Sequence, residues 1–292
     1  MSVRRGIIAT LAVVAIVLAV VGLRHERARG EAPAPAAGPP RIVTLSPDLT
    51  ATLYAIGAGS LVVAVSDYCV TPPGATPLPR VGTALTPSYE AIARLAPTLI
   101  LTAGGSRTRE LQELAPTRLL PWLTLDQVTA STRELGRLTG HEPEARALAE
   151  RLATRLSAQP PAGAPRVLLV LGGSPGQLDD VWFVKDESLH GAALRAAGGR
   201  NAVARASSGA PRLSLTQVLE LDPEQIIVLT TSASAADAAL YRESWRKLTP
   251  LAAVESGRIA VVGGADVFAD GPSILELVTR LAGVIAKLRG GS

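Results

Sequence analysis

Two hydrophobic patterns divide the chain. Arg4 and Arg5 precede an apolar run without a charge from Ile7 to Leu23. As a helix this run would span roughly 25 Å, slightly short of a ~30 Å hydrocarbon core. A cationic start before such a run predicts an export signal or a membrane anchor, and the length leaves both open. The Arg pair also fits twin-arginine export. No Cys follows the run, which excludes a lipoprotein anchor. Ala32–Pro40 (APAPAAGPP) predicts an extended tether, because proline removes backbone donors and fixes φ. The globular body is expected from Arg41 onward, outside the cytoplasmic membrane.

From Arg41, short β-rich runs alternate with stretches of helical period. Ile42–Leu45, Leu61–Val65, Leu99–Thr102 and Arg118–Pro121 predict strands. Ser46-Pro47-Asp48 predicts a helix start, with Ser as cap, Pro at the first helical position and an acid in the first turn. Leu49, Leu53 and Ile56 then share one face, and Gly57 supplies a stop. Helix formers dominate 127–157, with a break near Gly140–Pro143, and Glu144–Ser157 predicts a helix joining two lobes. Strand character resumes at Arg166–Leu171. An internal echo supports two lobes. Ser88–Pro97 precedes the strand Leu99–Thr102 much as Ser214–Pro223 precedes the strand Gln225–Thr230. The predicted division is a leader and tether over 1–40, an α/β lobe over 41–140, a connecting helix over 141–160 and a second α/β lobe over 161–292. Strand–helix alternation predicts parallel, covered sheets in both Rossmann-like lobes. A cleft between two lobes is where a ligand would bind.

Composition narrows the function. The chain has 292 residues, 47% hydrophobic and 18% charged, so it can bury a sizeable core. Its net charge is +4, but the first 40 residues hold five Arg against two Glu. Beyond them 24 basic residues face 23 acidic ones, and so balanced a body argues against nucleic acid as a partner. One cysteine, Cys69, allows no internal disulfide. His25, His141 and His190 show no metal-ligand spacing, so no protein-built metal site and no cofactor are expected.

Catalytic motifs are also missing. There is no G-x-S-x-G elbow, and Gly172–Gly176 lacks the Lys-Ser/Thr ending of a phosphate loop. The body reads as a binding protein rather than an enzyme. The loop Ser66–Pro73 is more informative, since ligands bind beyond the carboxyl ends of parallel strands. It carries Asp67 and Tyr68 and is stiffened by Pro72 and Pro73. Tyr68 either faces a ligand or covers a core edge.

The segments RIVTLSPDLTATLYAIGAG, VVAVSDYCVTPPGA, LPRVG and YEAIARLAPTLIL resemble the first lobe of the class III periplasmic substrate-binding proteins of ABC importers, cobalamin branch. SLHGAALRAAGGRNAVA, LSLTQVLELDPEQIIVLT and GPSILELVTRLAG continue the resemblance through the second lobe. It implies two α/β lobes bridged by a long rigid helix, with a corrinoid captured in the cleft and delivered to a permease. It implies ligand contacts at Tyr68, with Asp67 beside it, and at Trp182, Asp266 and Phe268. Relatives that grip cobalamin tightly have tryptophans where this chain has Ala84, Ala103 and Ala210. Haem, with Tyr68 as axial ligand, or a ferric siderophore, with Lys185 or Arg212, are the alternative ligands. The resemblance further implies docking on the permease through Glu90. Thr216 stands at the matching place in the second lobe, and Glu220, one turn on, is the substitute. The chain is expected to be a periplasmic monomer. The rival reading is a membrane-tethered sensor without transport.

Overall fold

The computed structural model describes residues 38–104, 108–178, 180–203, 210–264, 266–268 and 270–290. The expected signal or anchor at 7–23 and most of the tether lie outside the described residues. Among the described residues no helix is long and apolar enough to cross a membrane.

The first lobe is a four-stranded parallel sheet in the order β2-β1-β3-β4. Its strands are β1 (Ile42–Thr44), β2 (Val62–Val65), β3 (Leu99–Thr102) and β4 (Thr117–Leu119). β1 lies between two partners, and all three of its residues are buried. That explains a continuous apolar run in place of an alternating one. Helix α1 (Pro47–Ala55) begins with Pro47 at its first turn. Ser46 stands at the cap, but its side chain makes no capping bond. Thr50 Oγ1 instead donates to the Ser46 carbonyl at 2.8 Å.

Helix α2 (Tyr89–Arg94) returns the chain to β3, and α3 (Thr108–Gln112) to β4. Two antiparallel helices then follow, α4 (Leu125–Thr139) and α5 (Glu142–Leu156). Thr124 and Gln127 form a capping box at the start of α4, and Gly140 ends it with φ 71°. At Gly136 the helices touch, since a Cβ there would sit 2.4 Å from that of Ala145. The helix expected over 144–157 is α5, which starts two residues earlier.

The second lobe departs from the parallel sheet predicted for it. Its six-stranded sheet is mixed, with β10, β9, β5, β6 and β8 in that order and β7 also on β5. These strands are β5 (Arg166–Leu171), β6 (Val181–Phe183), β7 (Arg200–Asn201), β8 (Arg212–Leu213), β9 (Gln225–Thr230) and β10 (Ile259–Gly263). β5, β9 and β10 run parallel, whereas β6 is antiparallel to both β5 and β8. The cause is chain length. The described residues between β5 and β6 form no helix, and so short a connection can only turn the chain back.

The helices of this lobe are α6 (Leu189–Ala196), α7 (Leu215–Leu221), α8 (Ala235–Arg246), α9 (Ala252–Glu255) and α10 (Ile274–Gly290). The internal echo extends to the backbone. Ser88 caps α2 and Ser214 caps α7, each through its side chain. Among the described residues, the positive-φ positions other than glycine are Ala96 (45°) and Asp222 (38°), each just before its proline. One hydrophobic core joins Leu49 and Leu53 of α1 to Leu148 and Leu152 of α5, Leu194 of α6, and Leu281 and Ile285 of α10. The two sheets therefore share a layer of helices.

Candidate ligand-binding cleft

The loop after β2 is built around Cys69. Its buried thiol lies 3.1 Å from Thr50 Oγ1 of α1 and 3.1 Å from Ser66 Oγ. Arg80 Nη1 donates to the carbonyls of Ser66, Asp67 and Cys69 at 3.0, 2.6 and 3.3 Å. These anchors turn Cys69 inward and leave Asp67 and Tyr68 exposed. Tyr68 does not cover a core edge; Cys69 takes that place.

Tyr68 belongs to a wider set of exposed apolar side chains in the two lobes. In the first lobe these include Tyr68 (74% exposed), Val70 in the same loop, Leu85 and Leu123; in the second, Trp182 (43%) and Phe268 (36%). Trp182 pairs across β6 with Leu171, at the carboxyl end of β5, and with Arg212 on β8. Arg212 is bridged to Asp180 at 3.2 Å. Asp266 sits beyond β10, with Arg280 Nη1 of α10 3.4 Å from its carboxylate. Lys185 lies half-buried two residues after β6. Ala84 and Ala103 follow first-lobe strands and Ala210 precedes β8, so none of the three adds an aromatic face.

The carboxyl ends of the two sheets are tied together at Asp270. Its backbone N–H donates to Asp48 Oδ1 of α1 at 3.0 Å, and its carbonyl accepts from Trp122 Nε1 at 2.6 Å. Its carboxylate lies 3.0 Å from His190 Nδ1 of α6, and His190 Nε2 donates to the Val267 carbonyl at 2.8 Å. Burial, then the Asp270 charge, pushes the Asp48 carboxyl up to about 6. For His190 burial opposes the charge, but the Asp270 hydrogen bond and charge, the Val267 carbonyl and Asp48 outweigh it. Its pKa is therefore raised.

The residues expected to dock are on the echoing helices. Glu90 is exposed on α2 and paired with Arg94. Thr216 is the second residue of α7, as Glu90 is of α2. Thr216 and Glu220 are both exposed. Among the described residues no group of three or more His, Cys, Asp or Glu side chains could hold a metal.

Sequence reading did not find Leu85, Leu123, Arg80 or the cluster at Asp270. Leu85 and Leu123 had a weak signal, single apolar residues beside turn residues. Asp48 was read only as a first-turn acid, because a partner 222 positions away leaves no local trace.

Two α/β lobes tied together at Asp270, each with exposed apolar side chains, have the build of a two-lobed solute-binding protein. The chain belongs to the periplasmic binding protein family, whose profile matches residues 42–264. It is 30% identical over 201 residues to the vitamin B12-binding protein of Photorhabdus laumondii, covering 66% of this chain and 71% of that one. The periplasmic vitamin B12 binding protein of Vibrio cholerae superposes with a TM-score of 0.66 at 25% identity, over 86% of this chain and 98% of that one. A periplasmic heme binding protein of the same organism shares the fold, with a TM-score of 0.70 at 19% identity over 85% and 99%.

Proposed function

We propose that this protein captures a corrinoid in the periplasm and delivers it to an ABC importer permease. The observation that carries the reading is the set Tyr68, Leu85, Leu123, Trp182 and Phe268, large apolar side chains left exposed in both lobes. A broad, mostly apolar macrocycle suits such surfaces, and aromatic faces add contact energy beyond their buried area. Relatives named for vitamin B12 binding support the same ligand. Asp67 and Asp266 are the polar groups at the rim that would orient it. Glu90 is the docking residue of the first lobe, and Glu220 serves in place of Thr216 in the second. The apolar run at 7–23 delivers the chain across the cytoplasmic membrane or holds it there. The protein acts as a monomer.

Haem is the second reading, favoured by the exposed hydroxyl of Tyr68, which could ligate iron. Calorimetric titration with cyanocobalamin and, separately, with haemin tests the choice. Heat with cyanocobalamin at micromolar or lower Kd is expected. Absence of that heat, with clear haemin binding and a shifted Soret band, overturns the corrinoid.

A further inference from the structure

Asp270, beyond β10, is held from three different parts of the chain. Asp270 gives its N–H to Asp48 of α1 and its carbonyl to Trp122 ahead of α4, so first-lobe elements grip both faces of one backbone unit. Its side chain goes to His190 of α6. The fit against α1 is close, for a Cβ on Gly271 would stand 3.4 Å from that of Ala51. His190 has an unusual pair of neighbours. Nε2 faces a carbonyl and Nδ1 a carboxylate, and both groups are acceptors. A neutral imidazole has a proton on one nitrogen only and could satisfy one of them. The imidazolium satisfies both. The charged groups facing His190 are Asp270 and, from α1, Asp48. Between the anchored residues Val267 and Asp270 lies Phe268, with Asp266 just before them.

We propose that Asp48, Trp122 and His190 are positioning residues that clamp Val267 and Asp270 between the lobes, and that His190 must be protonated for the clamp to hold. The clamp fixes where Asp266 and Phe268 meet the ligand, which rests on the reading of these two as cleft residues. Loss of the proton removes one of the two bonds that His190 makes to Val267 and Asp270, and the clamp loosens on the second-lobe side. Ligand grip then weakens as pH rises past the titration of His190. Asp48 raises that titration point through its charge, so Asp48→Asn, which keeps an acceptor oxygen but loses the charge, moves the point to lower pH.

The test has two arms on the full-length protein. The first is backbone hydrogen exchange of peptides covering 264–272 without ligand, from about pH 6 to pH 9 and corrected for intrinsic exchange. Exchange should accelerate with rising pH in the wild type, with a lower midpoint in Asp48→Asn. It should be fast throughout in His190→Gln. Trp122→Phe, which removes only the N–H donor, should be faster at all pH with an unmoved midpoint. The second arm is cyanocobalamin affinity over the same range. It should fall roughly tenfold in the wild type and stay flat in His190→Gln. Wild-type exchange that ignores pH, or a midpoint unmoved in Asp48→Asn, overturns the proposal. If the wild type binds no cyanocobalamin, the ligand reading fails and the exchange arm alone decides the clamp.

Discussion

Asp48 carries a cost that pH should reveal. Its folded pKa, about 6, lies above the ordinary 3.8, first because of burial and then because of Asp270. A carboxyl raised on folding stabilises most below its unfolded pKa, and that stability is lost as pH rises through the folded value. The window is thus about pH 4 to 6. Asp48→Asn removes the penalty, and the gap between 3.8 and about 6 corresponds to roughly 3 kcal/mol. Urea unfolding should show the variant more stable than wild type by up to that amount at neutral pH, and equal near pH 4. Equal stability at both would mean that Asp48 is not strained. His190 has the opposite balance. Its raised pKa contributes stability below the ordinary 6.5, lost as pH rises through the higher folded value. Ala96 is a second residue under strain, left-handed at φ 45° with a Cβ. Ala96→Gly should stabilise the body by roughly 1 kcal/mol despite the added freedom of the unfolded chain. A loss of stability would show that the alanine methyl is needed for packing.

At the scale of elements, the loop after β2 separates an anchored part from an exposed part. Cys69, Thr50 and Arg80 hold the backbone, while Tyr68 projects from it. Tyr68→Ala should therefore leave the unfolding midpoint almost unchanged, within about 0.5 kcal/mol. It should weaken cyanocobalamin binding by roughly tenfold. A fall in stability instead would return Tyr68 to the core. Strands and helices were largely legible in the sequence because local composition decides them. Leu99–Thr102, Arg166–Leu171 and Gln225–Thr230 are apolar runs bounded by turn residues, and each is a strand over those same residues. The antiparallel β6 was not legible. Three residues, Val181–Phe183, give no period to read, and their direction follows from the short connection after β5. Tyr68 was singled out by its loop beyond a strand and then by the resemblance, Trp182 by the resemblance alone, and both are exposed. The tie at Asp270 was missed because it joins residues far apart in the chain.

For the whole molecule, the shared core has a mechanical consequence. Leu148 and Leu152 of α5 pack in one cluster with residues of both lobes, so large separation of the lobes would expose apolar surface at about 25 cal/mol per Å². Glu90 of α2 and Glu220 of α7 are both exposed. Glu90→Ala should reduce permease association in reconstituted membranes while ligand affinity stays unchanged, since ion pairs at a rim chiefly set encounter and orientation. Weakened ligand binding in that variant would move Glu90 from docking to the cleft. Thr216→Glu should strengthen association if the permease presents a cation there.

The central claim is that side chains from both sheets grip one corrinoid across the cleft. The most direct measurement is a double-mutant cycle on Tyr68→Ala and Trp182→Ala, read by calorimetric titration of the full chain with cyanocobalamin. The account predicts one ligand per chain and a loss of affinity of about tenfold in each single variant. It predicts a larger loss in the double variant. Unchanged affinity in Trp182→Ala, beside a loss in Tyr68→Ala, would confine the ligand to the first lobe and contradict the account.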